Sequence, residues 1–362
     1  MNRIGNWTLA VLILSRVSIG AAATTWYVNG LTGSDSNNCG SATAACRTIG
    51  HAISLAASGD SVRIAAATYA EHLTIGTNLE LIGAAASSTI IDGTGTGRVI
   101  YIAVGSVVTL ANVTIRNGRT PSCCLTTGGG ILNYGTLTLN SSAVSGNSVV
   151  ATGPAYGGGI SNAYGKLTIN NSTLSGNAAD CSTLACNAGG GGINNSFGTV
   201  AINNSTIAGN FVRAIGPRSY GGGIYSTGPL LISNSTISGN GANGGSGSGI
   251  YGAAQLQNSI VADSCHGSVT SAFSLSSNNS CVLNGPGDKN NTDPKLGTLG
   301  NYGGPTQTIP LLSGSPAIDT GNPSGCTDYQ GHRLTTDQRG YPRPDKEDQI
   351  GCDMGAYESQ SD

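Results

Sequence analysis

A glycine-rich unit that occurs four times between residues 128 and 240 limits the folds open to this chain. Each copy opens with Gly-Gly-Gly-Ile, and three close with Ser-Gly-Asn and one with Ala-Gly-Asn. The copies open at Gly128, Gly157, Gly190 and Gly221, so that one follows the next after about 30 residues. Internal repetition with a period of this size is typical of solenoids, in which each repeat forms one coil.

Apolar residues recur at fixed places in every copy, two and four residues before a polar residue and three residues after it. That polar residue is Ser141, Asn171, Asn204 or Asn234. A spacing of two places the apolar side chains on one face of a short strand. One unit cannot bury this face alone, whereas stacked units can. We therefore predict an all-β chain, a right-handed parallel β-helix with three short strands in each coil and at least six coils in register.

The polar residue begins an Asn-Ser-Thr segment in three of the copies. Stacked inside a turn, these asparagines would form a ladder in which each side-chain amide bonds the next one. The same tripeptide is an acceptor for N-glycosylation. Because it recurs in phase with the apolar positions, we expect the ladder.

Composition indicates what kind of surface the chain presents. Only 9% of its 362 residues are charged, whereas about 25% are in typical soluble domains, so the surface should consist of Ser, Thr, Asn and Gly. A net charge of −2 gives no indication of nucleic-acid binding. Ten cysteines predict local disulfides in an exported protein, with connectivity left open. The close spacings are Cys39 and Cys46, Cys123 and Cys124, Cys181 and Cys186, Cys265 and Cys281, and Cys326 and Cys352.

The first 23 residues have the pattern of a secretory signal peptide. Arg3 precedes an apolar run at residues 9–14, and three alanines at residues 21–23 offer a cleavage site. The run is too short to span a bilayer, so we expect cleavage after Ala23 and no transmembrane segment afterwards. The predicted location is secreted or at the cell surface.

Three regions follow the leader. Residues 24–285 are predicted to form the β-helix, with an N-terminal cap at 24–60 and the in-phase repeats at about 105–265. Within the cap, Ile49, Ile53 and Ala56 have helical spacing and predict a short amphipathic helix over residues 46–58. Residues 286–362 are richer in proline and charge and are predicted to be an irregular capping segment.

Motifs at both ends resemble known families. The segments W-Y-V-N-G-L-T-G-S-D-S at 26–36, C-R-T-I-G-H-A-I at 46–53, G-D-S-V-R-I at 59–64, T-Y-A-E at 68–71 and T-I-I-D-G at 89–93 resemble the opening of pectin-lyase-like β-helix proteins. The glycine-rich repeats are similar to those of bacterial surface proteins, including polymorphic outer-membrane proteins. These resemblances imply the fold, which hosts lyases, hydrolases, esterases and non-enzymes.

The tail carries D-P-K-L-G at 293–297, N-Y-G-G-P-T-Q-T at 301–308, L-L-S-G-S-P-A-I-D-T-G at 311–321, D-Q-R-G-Y-P-R-P at 337–344 and D-M-G-A-Y-E at 353–358. It resembles the choice-of-anchor Q domain of secreted bacterial β-helix proteins. That resemblance implies export and a tail that caps the helix. We expect Asp337, Arg339, Arg343 and Glu358 to form a structural ion-pair network rather than a catalytic site.

Variable loops separate each Ser-Gly-Asn from the next Gly-Gly-Gly-Ile, and they should lie on one flank if the coils stack in register. They carry the candidate binding residues Arg119, Tyr156, Asp180, Arg213, Arg218 and Tyr220. Functional residues often lie on loops held by a rigid scaffold. The alternative is that these loops only make the surface soluble.

Candidate catalytic residues are few. Between residues 99 and 267 the only carboxylates are Asp180 and Asp263, which the repeat places too far apart to act together. Weak candidates for a lyase base are Lys166, Arg213 and Arg218. A second sparse cluster consists of Glu71, His72, Asp92 and Arg98. No cofactor is predicted, and calcium among Asp345, Glu347, Asp348 and Asp353 stays open because no calcium-loop motif is present.

We favour an exported, non-catalytic surface or extracellular protein with an adhesive or glycan-binding role. Its partner would be an extracellular polysaccharide, a surface glycan or a protein of a host or cell surface. The alternative is a polysaccharide-degrading enzyme, either a uronate lyase or a glycoside hydrolase, which would act on an acidic polymer because the loop flank is net basic. A passenger of an autotransporter is disfavoured, since no series of alternating strands follows the repeats.

Overall fold

The chain winds through three parallel sheets, which we name A, B and C in the order in which each coil visits them. A computed structural model describes residues 22–122, 126–183, 186–215, 218–346 and 351–360. All strand pairs within the named sheets are parallel, and each strand pairs with the equivalent strand one coil away. The predicted all-β parallel β-helix is therefore confirmed.

Sheet A has ten strands in the described residues: Thr25–Val28, Asp60–Ile64, Leu79–Gly83, Val107–Ala111, Thr136–Asn140, Lys166–Asn170, Thr199–Asn203, Leu230–Ser233, Ala254–Gln257 and Val269–Ala272. Sheet B comprises Ala67–Ala70, Thr89–Asp92, Thr114–Arg116, Ala143–Ser145, Thr173–Ser175, Thr206–Ala208, Thr236–Ser238, Ile260–Val261 and Leu275–Ser276. Sheet C comprises Leu73–Ile75, Ile100–Ile102, Ile131–Asn133, Ile160–Ala163, Ile193–Ser196, Ile224–Ser226, Ile250–Tyr251 and Cys265–His266.

The core consists of columns of like residues from successive coils. In sheet A, Leu137 pairs with Leu167, which pairs with Val200, and the next coil adds Leu230. All four are at most 2% exposed. Each such side chain contributes about 2 kcal/mol when it leaves water, so the apolar spacing seen in the sequence supplies the main stabilisation.

The variable loops form an arm made of two further parallel sheets, which the sequence did not predict. Sheet D comprises Arg119–Ser122, Ser148–Ala151, Ala178–Cys181, Phe211–Ala214 and Gly241–Ala242. Sheet E comprises Thr126–Thr127, Ala155–Tyr156, Ala188–Gly189 and Ser219–Tyr220. The two sheets enclose a small apolar core of their own, which includes Val149, Ala155, Ala179, Ala188 and Val212. The arm leaves the solenoid after sheet B and returns before sheet C.

Asparagine ladders run along the coils, in more columns than predicted. One passes from Asn147 through Asn177 and Asn210 to Asn240, with Nδ2–Oδ1 distances of 2.9–3.0 Å, and ends on Asp263. A second passes from Asn133 through Asn162 to Asn195. These columns hold buried amides in place, because each one is both donor and acceptor.

The predicted Asn-Ser-Thr column forms ladder bonds at two places and serves mainly to bind the tail. Asn204 donates to Asn171, and Asn258 donates to Asn234. The residues of this column have φ between 47° and 57°, a turn conformation that asparagine tolerates. Hydrogen bonds join four successive members to the tail, at Asn171, Asn204, Asn234 and Asn258.

The tail is irregular, as predicted, and lies along the side of the solenoid over sheet B. Gln338 is buried between the two, where Oε1 accepts from Thr206 Oγ1 at 2.6 Å and Nε2 donates to Thr173 Oγ1 at 2.9 Å. The expected ion pairs are present. Arg339 lies 2.7 Å from Asp337 and Arg343 lies 2.6 Å from Glu358, and all four are at most 8% exposed.

The N-terminal cap contains helix α1, Ile49–Leu55, which is shorter than predicted, and a 3₁₀ turn at Ala42–Ala44. Thr48 caps the helix, and the Glu71 carboxylate accepts from the N–H groups of Ile49 and Gly50.

The four expected disulfides within the described residues are confirmed: Cys39–Cys46, Cys181–Cys186, Cys265–Cys281 and Cys326–Cys352. Cys123, Cys124 and residues 1–21 of the leader lie outside the described residues. None of the described helices is long and apolar enough to cross a bilayer.

Candidate functional site

The outward face of sheet C presents one row of side chains along the solenoid. Alternate residues of each strand point into the core, and the register sets the others in line. From the N-terminal coil onward these are Thr74, Tyr101, Leu132, Ser161, Asn194, Tyr225, Tyr251 and His266. We call this surface the sheet C face. The arm borders it on one side, and the turns into sheet A border it on the other.

A continuous cluster of rings lies where the sheet C face meets the arm, and we call it the ring row: Tyr156, Tyr220, Tyr225, Tyr251 and His266. The centroids of Tyr225 and Tyr251 are 5.4 Å apart, and those of Tyr251 and His266 are 4.6 Å apart with an interplanar angle of 14°. Tyr220 reaches across from sheet E to within 4.8 Å of Tyr251. Aromatic pairs at such distances add to the energy of burial.

Gly189 provides the space for this packing. It stands between Tyr156 and Tyr220 in sheet E, and a Cβ placed on it would lie 3.1 Å from Tyr156 Cδ1 and from Tyr225 Cγ. The ring of Tyr225 therefore packs over Gly189, in space that the side chain of any other residue at position 189 would occupy. Burial, followed by neighbouring tyrosines, raises the pKa of Tyr156 and of Tyr225 above its ordinary value, so both rings are neutral at physiological pH.

Asn194 occupies the floor beside the ring row. It is 2% exposed, and its Nδ2 donates to Ser161 Oγ and Ser196 Oγ. Its Oδ1 accepts no hydrogen bond from the described residues. A buried acceptor without a donor is costly, so a hydroxyl or water that reached this oxygen would be stabilising.

The opposite edge of the sheet C face carries three further rings at equivalent turns, which we call the turn aromatics: Tyr134, Tyr164 and Phe197. Tyr164 and Phe197 stack with centroids 5.5 Å apart and an interplanar angle of 16°. Tyr134 lies edge-on to Tyr101 of the floor at 6.0 Å. These rings and the exposed Lys166 line a shallow groove of about 340 Å³.

Charges of both signs flank the sheet C face, because Glu71 and Asp263 precede its first and last strands by two residues, as Arg98 precedes its second. Lys166 lies at one edge, Arg218 precedes the last strand of sheet E, and Arg98 stands at the N-terminal end. Arg98 donates to the carbonyl oxygens of Thr127 and Gly128 and so joins the arm to the solenoid. The described strands of sheets C and E contain no Asp or Glu. The exposed cations at its edges, Lys166 and Arg218, would attract an anionic ligand.

The six candidate binding residues fall on two sides of the arm. Tyr156 and Tyr220 belong to the ring row. Arg119, Asp180 and Arg213 lie on the outer side of sheet D, away from the arm core, and Arg218 is exposed beside sheet E. Arg213 stacks over Phe211 at 4.9 Å. Burial raises the pKa of Asp180 in spite of Arg213 and Arg119.

The candidate catalytic residues do not converge. Lys166 begins a strand of sheet A, Arg213 lies in sheet D and Arg218 adjoins sheet E, so the three belong to different sheets. Asp263 is used as the end of an asparagine ladder. Asp180 lies in the arm.

The second sparse cluster is also engaged in structural contacts. Glu71 caps helix α1, and His72 Nδ1 lies 2.7 Å from the carbonyl oxygen of Arg98. Asp92 forms an ion pair with Arg116 at 2.8 Å. These contacts hold adjacent coils together.

One group of three potential metal ligands occurs in the described part of the chain. It comprises Cys39, Cys46 and His51, and its cysteines are joined to each other in a disulfide. Of the four acidic residues considered for calcium, Glu347 and Asp348 lie outside the described residues. The question of calcium among these residues therefore stays open.

Sequence reasoning missed Tyr225, Tyr251 and His266. The signal was present, because each follows the apolar residue that begins a sheet C strand. An alignment on that residue would have set the three rings in one column.

Comparison with known proteins leaves the function open. No family model matches the sequence, and no curated protein matches it. A solved structure of a pectin methylesterase mutant in complex with a hexasaccharide has a TM-score of 0.38 and 15% identity, and covers 88% of this chain and 95% of its own. Pectin methylesterase PemA from Erwinia chrysanthemi has a TM-score of 0.34 and 14% identity, and covers 87% of this chain and 94% of its own. Likenesses at this level carry no argument about this chain. The resemblance of the tail to the choice-of-anchor Q domain stays a prediction.

Proposed function

We propose that this chain is an exported protein that binds an acidic polysaccharide along the sheet C face. The observation that carries the proposal is the ring row, in which Tyr225, Tyr251 and His266 succeed one another on three adjacent coils. Aromatic side chains combine a large apolar surface with a polar tip, which suits the mixed apolar and hydroxyl surface of a sugar. Successive coils are about 4.8 Å apart, so rings on adjacent coils form a continuous row along which an extended polymer could lie.

The surroundings of the ring row support this class of ligand. Beneath it lie the buried polar residues Ser161 and Asn194, so the ligand would contact the rings above them. Its edges carry cations, at Lys166 and Arg218, and the described strands of sheets C and E lack carboxylates. These cations would attract an acidic polymer, and the affinity of the protein for it would fall as salt concentration rises.

Four disulfides support export, because such bonds persist in oxidising compartments. Polysaccharide hydrolysis at this face is not part of the proposal. That chemistry uses two carboxylates on opposite sides of the scissile bond, and the described strands of sheets C and E supply none.

The test compares polysaccharide binding by the purified chain and by Tyr251→Ala. Polygalacturonate and alginate serve as acidic polymers, dextran and xylan as neutral ones, and mobility in polymer-containing gels gives the affinity. We expect Tyr251→Ala to weaken acidic-polymer binding by about tenfold, since the loss of one stacked ring costs about 1 kcal/mol or more. Tyr302→Ala, which removes an exposed ring from the tail, is the control and should bind normally.

Two results would overturn the proposal. One is that none of the polymers retards the unaltered chain. The other is that Tyr251→Ala and Tyr302→Ala bind equally well. Release of reducing ends or unsaturated products in the same samples would instead support the degradative alternative.

A further inference from the structure

Tyr164 and Phe197 hold a backbone conformation that aromatic residues rarely adopt. Their φ angles are 59° and 57°, in the left-handed region, where Cβ approaches the following carbonyl oxygen. The cost is about 1–2 kcal/mol for each residue. Elsewhere in the solenoid the same conformation is given mostly to glycine and asparagine, as at Gly176 and Asn204.

Burial does not compensate for this strain. The side chains of Tyr164 and Phe197 are 74% and 69% exposed, and their main contact is with each other. Neither ring belongs to the core of the solenoid or of the arm. Strained and exposed bulky residues at neighbouring positions indicate a functional use rather than a structural one.

A cation stands beside this pair. Lys166 follows Tyr164 by two residues, is exposed, and lines the same groove as both rings. Among the described residues no carboxylate forms an ion pair with it. Its ammonium is therefore available to a ligand, and desolvation of the site by a bound ligand would strengthen the attraction.

We propose that Tyr164, Phe197 and Lys166 form a subsite for an anionic sugar residue, in which the two rings support the apolar face of the sugar and Lys166 binds its carboxylate or sulfate. The proposal of this subsite rests on the proposed function, and it identifies the part of the sheet C face that selects for charge. It is separate from the ring row, which lies at the border with the arm.

The first experiment separates ligand binding from folding. Tyr164→Asn and Phe197→Asn replace each ring with a residue that accepts the left-handed conformation. We expect the double variant to unfold at the same temperature as the unaltered chain or a higher one. Its affinity for polygalacturonate should fall by at least about tenfold, as for the loss of two stacking contacts. A large loss of thermal stability with unchanged binding would overturn the inference.

The second experiment tests the cation. Lys166→Gln should weaken both the preference for polygalacturonate over dextran and the dependence of its affinity on salt, with Arg218 accounting for the remainder, whereas Lys166→Arg should keep both in full. If Lys166→Gln keeps the preference, the inference is wrong. Failure of the subsite and failure of the proposed function give different results. If the proposed function is wrong, the unaltered chain binds no polymer. If only the subsite is wrong, the chain binds polymer and Tyr251→Ala alone weakens that binding.

Discussion

The side-chain amide of Asn240 donates to Asp263 Oδ2 at 2.7 Å, so that a ladder of four asparagines ends on a carboxylate. The same carboxylate accepts from the backbone N–H groups of Gly239 and Asn240. Asp263→Ala removes all three hydrogen bonds, and we expect a loss of about 2 kcal/mol in the free energy of unfolding. Urea unfolding measures it.

Asp263→Asn is the matched control for that variant. In the preceding coils an asparagine Oδ1 accepts both the backbone and the side-chain N–H of the previous asparagine, as Asn240 does for Asn210. Asp263→Asn should therefore retain most of the stability. Equal losses for the two variants would show that an amide oxygen cannot replace the carboxylate at the end of the ladder.

A larger residue at position 189 should disturb the ring row without unfolding the solenoid. The added Cβ of Gly189→Val would lie 3.1 Å from the rings of Tyr156 and Tyr225, which must then move. We expect polygalacturonate affinity to fall about tenfold, the equivalent of about 1.4 kcal/mol. Gly76→Val serves as the control, because a Cβ at Gly76 meets no atom within 4 Å. Near-ultraviolet circular dichroism would report the displaced tyrosines directly.

The stability of the tail should depend on pH through Glu358. Burial raises its pKa to about 7 from 4.5, although Arg343 lies 2.6 Å away and acts in the opposite direction, and Asp353 adds to the rise. Between these two pH values the folded chain holds a proton that the unfolded chain has released. The contribution of Glu358 to stability is therefore present below about pH 4.5 and is lost as pH rises towards 7.

Glu358→Gln tests this dependence. It removes the titrating group, and with it a slope of up to about 1.4 kcal/mol per pH unit in the free energy of unfolding. Denaturant unfolding of both proteins at intervals across the pH window measures the slopes. Parallel curves would contradict the assignment of the proton to Glu358.

Docking of the tail should depend on Gln338. Its side chain bonds Thr173 and Thr206 of sheet B and Thr306 of the tail, and it is 1% exposed. Gln338→Ala removes one hydrogen bond from each of these hydroxyls and opens a cavity, and we expect a loss of about 3 kcal/mol in the free energy of unfolding. Limited proteolysis should then cut the tail while the coils resist. Gln330→Ala, in an exposed turn of the tail, should leave the proteolysis pattern unchanged.

The solenoid could be predicted from the sequence because its core residues recur at a fixed spacing in each copy of the repeat. Leu137 and Leu167 occupy the same place in successive copies, and stacking of like residues follows from the repeat. The arm follows from no such pattern. Its strands are two to four residues long, and their inward residues, such as Ala155 and Ala188, are too small to mark a core. The loops also differ in length, so the sequence does not show which of their residues pair between coils. The pairing of Asp180 with Arg213 was therefore not apparent.

The ring row escaped prediction for a different reason. Tyr156 and Tyr220 were recognised as candidate binding residues, but they were grouped with arginines of the same loops. The turn between sheets D and E separates these tyrosines from Arg119 and Arg213, which lie on the outer side of sheet D. The partners of these tyrosines on sheet C come from another part of each repeat, and spatial proximity alone joins the two sets.

The contacts of the tail with Asn171, Asn204, Asn234 and Asn258 have a consequence for how this protein can evolve. Repeats of this kind are readily duplicated or deleted, and a bare solenoid would tolerate either change because each coil meets only its neighbours. Here a single segment spans several coils and has a partner on each. A duplication among them would put those partners out of step by one coil. The tail therefore constrains the number of coils between Asn171 and Asn258.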